Sequence, residues 1–211
     1  MKLKVMKPKV LKIFVYGDSN TWGYVPTLKI YSGNDNETER YDSSDIWWNA
    51  LKKDNIVFAN GNNGRTINND HPDLPNKNAL KTICGDFIDS DIDLVIIMLG
   101  TNDLKDVYHL TPINIKDNLD KLVNKFIDRY NSKIMIICPP LIKETPVTKE
   151  KYTDSENKIL EYEKVLKEYT KKHDYLFCSA VGCEVGIDGE HLTKKGHQEL
   201  GIAVLRTLGG K

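Results

Sequence analysis

The sequence predicts a three-layer α/β fold, in which helices cover both faces of a flavodoxin-like five-stranded parallel sheet. The first observation is that five short apolar runs, rich in Val, Ile and Phe, alternate with segments of helical periodicity. The second is that several runs are continuous rather than alternating, as in strands that are covered on both faces. Strands that alternate with helices favour a parallel sheet with right-handed crossovers.

The five apolar runs are the predicted strands. Each is short enough for a strand, and turn-forming residues such as Gly, Pro and Asn lie at the ends of most of them. The runs are VLKIFVYG (10–17), NIVFANG (55–61), DLVIIMLG (93–100), KIMIICPP (133–140) and DYLFCSA (174–180).

Helical patterns occupy the intervals between these runs. Thr111 followed by Pro112 is a helix N-cap with proline at the first helical position, and Thr193 can cap a last helix in the same way. In the second pattern, apolar side chains spaced by three and four residues include Ile83, Cys84 and Phe87. The predicted helical segments are 45–54 after Ser44, 78–90, 112–127, 154–173 and the residues after Thr193.

Length and composition predict one globular domain over residues 1–211. Lys and Arg together number 30, as do Asp and Glu, so no basic excess favours binding to nucleic acid. The apolar segments are too short to span a membrane, and the Lys-rich N-terminus lacks the features of a signal peptide. Because the four cysteines mostly lie in or beside apolar runs, we expect buried thiols and a cytoplasmic protein.

Polar residues cluster where the predicted strands end, which is where ligands bind in parallel sheets. Three of the first four strands are followed by residues of the types Gly, Asn, Ser and Asp, whereas the fourth ends at Pro139 and Pro140. Those three clusters are 17–19, 60–64 and 100–103. The sequence therefore predicts a functional site at this edge of the sheet.

Ser19 is a candidate nucleophile, because a hydroxyl at a strand end can attack when a base lies within hydrogen-bond reach. His191 is the candidate base, and Asp188 lies three residues before it, close enough in a helical turn to orient the imidazole. The Asp-x-x-His spacing is a weak motif by itself, and an exposed turn before a helix cap is the alternative.

Gly64 and Asn102 are candidate donors to an oxyanion. The N–H of a glycine can approach a ligand closely, and the Asn side chain adds a neutral donor. A turn glycine and an Asx-turn are the alternatives, because strand ends favour both residue types. Asp18 is expected to support the turn through backbone hydrogen bonds.

With these residues in this order, the chain resembles the SGNH (GDSL-type) hydrolase family, whose sequence blocks centre on Ser, Gly, Asn and His. The matching segments include NGRT and LVIIMLGTND, and the similarity is closest to the arylesterase/acyltransferase branch. The segments that resemble the four blocks are Gly17-Asp18-Ser19, residues 61–66, Gly100-Thr101-Asn102-Asp103 and Asp188-Gly189-Glu190-His191.

The resemblance implies a serine esterase for small-molecule esters with short acyl chains, without cofactor or metal. It implies Ser19 as nucleophile, His191 as base and Asp188 as its partner. The oxyanion hole would consist of the N–H groups of Ser19 and Gly64 and the Asn102 amide. The resemblance also implies acyl transfer to alcohols as an additional activity. Glu190 departs from relatives, which often have Ile or Val there; it either adds negative charge beside His191 or points to solvent.

Several predictions outside these blocks depend on aromatic residues and a long loop. Trp22 either forms a wall of the acyl pocket or covers the first helix. Trp47 and Trp48 are adjacent and on a helix cannot both face one core, so one is expected at a subunit contact. Together with the long polar segment 25–43, they predict a homo-oligomer.

Two other functions are compatible with the sequence. The first is a carbohydrate O-acetyl esterase that uses the same residues and has a sugar-sized leaving group. The second is a non-catalytic flavodoxin-like binding module, against which the complete set of five site residues argues. The serine esterase and the carbohydrate O-acetyl esterase differ in the loops 25–43 and 141–153, whose shape the sequence does not give.

Overall fold

The sheet of the computed structural model, which describes residues 9–29, 38–71 and 74–209, has the predicted architecture. Its five strands are all parallel to their neighbours, in the order β2-β1-β3-β4-β5. Each apolar run contains one strand, so the predicted sheet is confirmed. The strands are β1 (Lys12–Gly17), β2 (Ile56–Gly61), β3 (Leu94–Met98), β4 (Lys133–Cys138) and β5 (Leu176–Ser179).

Two of the helices begin at the predicted caps. The Thr111 side chain accepts the N–H of Asn114, and the Thr193 side chain accepts that of Gly196. The α-helices are α1 (Ser19–Trp22), α2 (Ala79–Asp86), α3 (Pro112–Tyr130), α4 (Ser155–His173) and α5 (Lys194–Thr207). None of the helices in the described part of the chain is long and apolar enough to cross a membrane.

Alternate residues of the strands face two separate apolar cores. In β1, Phe14 and Tyr16 belong to the core beneath α2, α3 and α4, whereas Ile13 and Val15 belong to the core beneath α5. Strand β3 is buried along its whole length. Helices on both faces of a buried parallel sheet explain why the strands read as continuous apolar runs.

The segment after Ser44 differs from the expected α-helix. It forms two 3₁₀ helices, Ser43–Asp45 and Trp47–Lys53. Trp47 and Trp48 are both buried, with 1% and 4% of their surface exposed, and both belong to the core beneath α5. Their indole N–H groups donate to the carbonyl oxygens of Asn20 and Thr21, at 3.2 and 2.9 Å. The expectation of an exposed tryptophan at a subunit contact is therefore wrong, because α1 supplies acceptors for both rings.

Helix α2 is shorter than the predicted apolar stripe. It ends at Asp86, and Phe87 and the residue after it pack against the core from beyond the helix. The buried face contains Ala79 and Ile83, which lie four residues apart. Cys84 is rotated away from that face and is exposed, so the expectation of a buried thiol is wrong there, whereas Cys138 and Cys178 are buried.

The long polar segment 25–43 is closed at its base. Tyr24 and Arg40 form an isolated antiparallel bridge, and the Val25 N–H donates to the Glu39 carbonyl oxygen at 3.0 Å. Residues 30–37 of this segment lie outside the described residues. The bridge brings the two ends of the segment together directly after α1.

Candidate active site

The ends of three neighbouring strands are joined by the side chain and backbone of Arg65. Its Nη1 donates to the carbonyl oxygens of Gly17 in β1 and Asn60 in β2, both at 2.9 Å. Its own carbonyl oxygen accepts the Asn102 Nδ2–H at 3.1 Å, which links the segment after β3. Strand β1 lies between β2 and β3, so the chain runs from β1 to one side and then crosses to the other side of it. The carboxyl end of β1 is therefore a topological switch point, which is where ligands bind in such sheets.

Ser19 is the first residue of α1, immediately after β1. Asp18 caps this helix, since its Oδ1 accepts the Asn20 N–H at 3.0 Å, which confirms its expected support of the turn. Complete burial raises the pKa of the Asp18 carboxyl to about 6, against the opposing effect of this hydrogen bond. The N–H of Ser19 lies in the first turn, where amides have no acceptor within the helix.

Ser19, His191 and Asp188 form one chain of hydrogen bonds. The Nε2 of His191 lies 2.8 Å from Ser19 Oγ, and its Nδ1 lies 2.8 Å from Asp188 Oδ2. The other oxygen of Asp188 accepts the N–H groups of Glu190 and His191, at 3.2 and 3.1 Å. The carboxylate is therefore fixed by the turn that carries the histidine, and the three residues expected from the sequence lie together.

Asn20 ties this turn to the turn that contains Ser19. Its Nδ2 donates to the Glu190 carbonyl oxygen at 3.1 Å, and its Oδ1 accepts the Leu192 N–H at 2.9 Å. These two bonds hold His191 from both sides of the chain. Asn20 was not predicted from the sequence, because only its position beside Ser19 hints at a function and its partners lie more than a hundred residues away.

Tyr24, not Trp22, is the aromatic residue that contacts His191. The two rings are stacked with centroids 4.3 Å apart. Trp22 faces Arg40 instead, whose guanidinium carbon lies 5.2 Å from the ring centroid, and it lines a surface depression beside Phe58 of β2. Trp22 is itself the last residue of α1, and its assignment as a wall of the acyl pocket stays a prediction.

Gly64 and Asn102 lie in the segments after β2 and β3. Gly64 occupies the third position of a turn in which the Arg65 N–H donates to the Asn62 carbonyl oxygen at 3.0 Å. Its φ of +73° explains the glycine, because other residues rarely adopt this conformation. Asn102 begins a 3₁₀ turn, Asn102–Leu104, and only 5% of its surface is exposed.

Glu190 does not point to solvent. Only 6% of its surface is exposed, and its carboxylate accepts hydrogen bonds from Lys151 Nζ and Tyr152 Oη, both at 2.7 Å. Burial alone would raise the pKa of Glu190, but the charges of His191, Lys151 and Lys105 outweigh it and lower the pKa to about 2. Lys151 and Tyr152 could not be predicted as partners from the sequence, since they belong to the loop between β4 and α4.

Replacing Glu190 with Gln is expected to lower the free energy of unfolding by about 2–3 kcal/mol at pH 7, because the half-buried positive charges of Lys105 and Lys151 lose their partner. The pKa of Glu190 is depressed in the folded state, so its contribution is complete above the ordinary value of 4.5 and is lost as the pH falls towards 2. Urea unfolding of both proteins at pH 7, 4.5 and 3 should therefore show a difference that shrinks with acid.

The matched control is Glu150→Gln, an exposed carboxylate close to Lys151 in sequence. We expect its stability to stay within about 0.5 kcal/mol of the wild type. Equal stability of Glu190→Gln and the wild type at pH 7 would contradict the interpretation that Glu190 is a buried partner of Lys151.

Comparison with known proteins assigns the chain to a family. Residues 15–199 match the model of the GDSL-like lipase/acylhydrolase family. Est24, a carbohydrate acetylesterase from Sinorhizobium meliloti, is 27% identical with a TM-score of 0.82, covering 94% of this chain and 98% of its own. The aryl esterase of M. smegmatis is 28% identical with a TM-score of 0.81, covering 95% and 99%.

More distant structures share the fold. A putative arylesterase from Agrobacterium tumefaciens is 22% identical, with a TM-score of 0.78 and coverage of 95% of this chain and 99% of its own. No match was found among curated protein sequences. The family match covers most of the chain, and the chain therefore belongs to the GDSL-like (SGNH) lipase/acylhydrolase family and is a carboxylic ester hydrolase.

Proposed function

We propose that the protein is a serine esterase that cleaves short-chain acyl esters through a Ser19–His191–Asp188 triad and an acyl-enzyme. The observation that carries this proposal is the continuous hydrogen-bond chain between the three side chains, with both links at 2.8 Å. The resemblance of the sequence blocks to those of known esterases supports the same roles.

The tautomer of His191 follows from its two partners. A carboxylate can only accept, so Nδ1 carries the proton that is donated to Asp188 and Nε2 has a free lone pair facing Ser19. In the first half-reaction Nε2 takes the Ser19 proton while Oγ forms a bond to the ester carbonyl carbon. The proton then passes from Nε2 to the leaving alcohol as its bond to the carbonyl carbon breaks.

In the second half-reaction the same groups hydrolyse the acyl-enzyme. Water gives a proton to His191 and attacks the acyl carbon, and the Ser19 oxygen leaves with that proton. An alcohol in place of water would give acyl transfer. In both half-reactions negative charge develops on the carbonyl oxygen, where the N–H groups of Ser19 and Gly64 and the Asn102 amide are the proposed donors.

A carbohydrate O-acetyl ester is the second candidate substrate. The specific observation in its favour is the similarity to Est24, a carbohydrate acetylesterase. The sequence identity and the TM-score for Est24, 27% and 0.82, are nearly the same as those for the M. smegmatis aryl esterase, 28% and 0.81. The two classes differ in the leaving group, so the segments around the site rather than the triad decide between them. The presence of all five site residues disfavours a non-catalytic binding module.

The proposal is tested by covalent labelling and by a substrate comparison. A serine-directed organophosphonate should inactivate the enzyme at one label per chain, with mass spectrometry locating the label on Ser19, and a metal chelator should leave the activity unchanged. Labelling elsewhere with loss of activity would contradict the assignment of Ser19 as the nucleophile.

Rates on an aryl acetate, on the corresponding longer acyl esters and on acetylated sugars would then identify the substrate class.

We also retain three predictions about the whole protein: one domain over residues 1–211, a cytoplasmic location and a homo-oligomer. Trp47 and Trp48 are both buried within the chain, so they no longer support the prediction of an oligomer. Light scattering at micromolar concentration measures this state directly, and a monomer would contradict it.

A further inference from the structure

Lys105 is a half-buried cation beside the proposed oxyanion hole. It follows the 3₁₀ turn Asn102–Leu104, and its Nζ lies 2.7 Å from Asn102 Oδ1. It is three residues from Asn102, so the turn itself brings the two side chains together. Lys105 has no role in the proposed triad mechanism.

The hydrogen bonds of Asn102 fix the direction of its amide. An ammonium group can only donate, so the amide atom that faces Lys105 must be the oxygen. A carbonyl oxygen can only accept, so the atom 3.1 Å from the Arg65 carbonyl oxygen must be the amide nitrogen. The nitrogen carries two hydrogens, and the Arg65 carbonyl oxygen accepts only one of them. The second is left for an oxyanion.

A rotation of the amide by 180° would break both contacts. It would place two donors, the Lys105 ammonium and the Asn102 NH₂ group, against each other, and two carbonyl oxygens would face each other at Arg65. The mismatch at Arg65 costs more than a lost hydrogen bond, because Asn102 and Arg65 are both buried. The orientation needed for oxyanion binding is therefore set before any substrate arrives.

The charges around Lys105 come from several elements. Burial lowers the pKa of the lysine, and the Glu190 carboxylate opposes this shift, whereas Lys151 adds to it. Asp18 and Asp103 also favour the protonated lysine. The Glu190 carboxylate therefore lies next to His191 in the chain and also stabilises the positive charge of Lys105.

We propose that Lys105 is a positioning residue that orients and polarises the Asn102 amide as an oxyanion donor. This inference rests on the proposed function, since it assigns a task within the same oxyanion hole. A cation on the amide oxygen draws electron density from the N–H groups and strengthens their hydrogen bonds to an anion. Lys105 acts through Asn102 and does not itself touch the substrate.

A double-mutant cycle on Lys105 and Asn102 tests the inference. Lys105→Met should lower kcat on an aryl acetate about 10- to 100-fold with little change in KM, the range seen when the partner of an active-site group is removed. In an Asn102→Ala background the same change should cost about twofold or less, because the amide through which it acts is gone. Lys105→Arg, which keeps a charged donor, should recover part of the loss.

The control is Lys158→Met, which removes one positive charge from a lysine paired with Asp106 on the same side of the molecule. Its kcat should stay close to that of the wild type. All rates are expressed per active site titrated with the organophosphonate, so misfolded protein does not count. If Lys105→Met does not fold, Lys105→Gln replaces it with the same criteria.

Three results would overturn the inference: a wild-type kcat in Lys105→Met, a change confined to KM, or an equal loss with and without Asn102. The last would mean that Lys105 acts on the substrate directly. These results leave the proposed esterase intact, because its tests are the label on Ser19 and the activity of Ser19→Ala. If those tests fail, the oxyanion hole and the inference about Lys105 fail together.

Discussion

Ser19→Ala is expected to lower kcat by about 10⁴- to 10⁶-fold, the loss seen when the nucleophile of a serine triad is removed. The substitution deletes the Oγ atom that lies 2.8 Å from His191 Nε2. No covalent intermediate can then form, and hydrolysis depends on direct attack by water. The proposed oxyanion donors and the binding pocket remain, so a rate above that of the uncatalysed reaction should persist.

Steady-state kinetics on an aryl acetate, with thermal unfolding as the measure of folding, test this expectation. Ser19 is buried and alanine is smaller, so the fold should be preserved. Ser44→Ala is the matched control, because this serine is exposed in the 3₁₀ segment before Trp47. A folded Ser19→Ala enzyme that kept a tenth of the wild-type kcat would rule out Ser19 as the attacking group.

His191→Ala in the Ser19→Ala background extends the same test. If the two residues act as one unit, the double variant should be about as slow as the worse of the two single variants. A further loss equal to that of the single His191→Ala substitution would mean that the histidine acts independently of Ser19, for example on a water molecule.

The sheet was predictable because each strand carries its own signal. The three central strands β1, β3 and β4 are buried along most of their length, so β3 reads as an unbroken apolar run. The predicted site residues follow strands whose ends meet at one edge. Ser19, Gly64 and Asn102 were predicted as site residues for this reason. His191 and Asp188 were predicted because one turn contains both and because the spacing resembles that of known esterases.

Features that depend on contacts between distant segments were not predictable. Cys84 belongs to an apolar stripe in the sequence, yet the helix ends early and the thiol is exposed. The burial of Trp48 depends on an acceptor in α1, and the stacking of Tyr24 on His191 depends on the closed base of the loop. Nothing in the local sequence encodes the ion pair between Glu190 and Lys151, whose residues lie in different loops.

Asn102→Ala is expected to lower kcat by about 10²- to 10³-fold with little change in KM, because an oxyanion donor stabilises the transition state more than the bound ester. The substrate carbonyl is a weak acceptor, whereas the tetrahedral intermediate carries a full negative charge. The Asn102 amide is held ready by Arg65 and Lys105, so it needs no reorganisation when the charge appears.

Removing Asn102 also removes an acceptor for Lys105, so a loss of activity could have a structural cause. Asn102→Asp separates the two effects. Its carboxylate keeps an acceptor for the Lys105 ammonium but replaces the N–H donor with negative charge. We expect this variant to be less stable than the wild type, because a carboxylate oxygen then faces the Arg65 carbonyl oxygen. Per folded enzyme it should be slower than Asn102→Ala, because the carboxylate repels the oxyanion. A variant that was both well folded and faster than Asn102→Ala would contradict the proposed role of the amide.

Asn157→Ala is the matched control, since this asparagine is exposed on α4 and its Nδ2 donates to Asp154 Oδ1, three residues away. Its kcat and KM should match those of the wild type. A rise in KM at constant kcat in Asn102→Ala would instead make Asn102 a ground-state binding residue. The comparison of kcat between Ala and Asp at this position therefore tests whether the amide acts on developing charge, because a carboxylate repels an oxyanion more strongly than it repels the carbonyl oxygen of the bound ester.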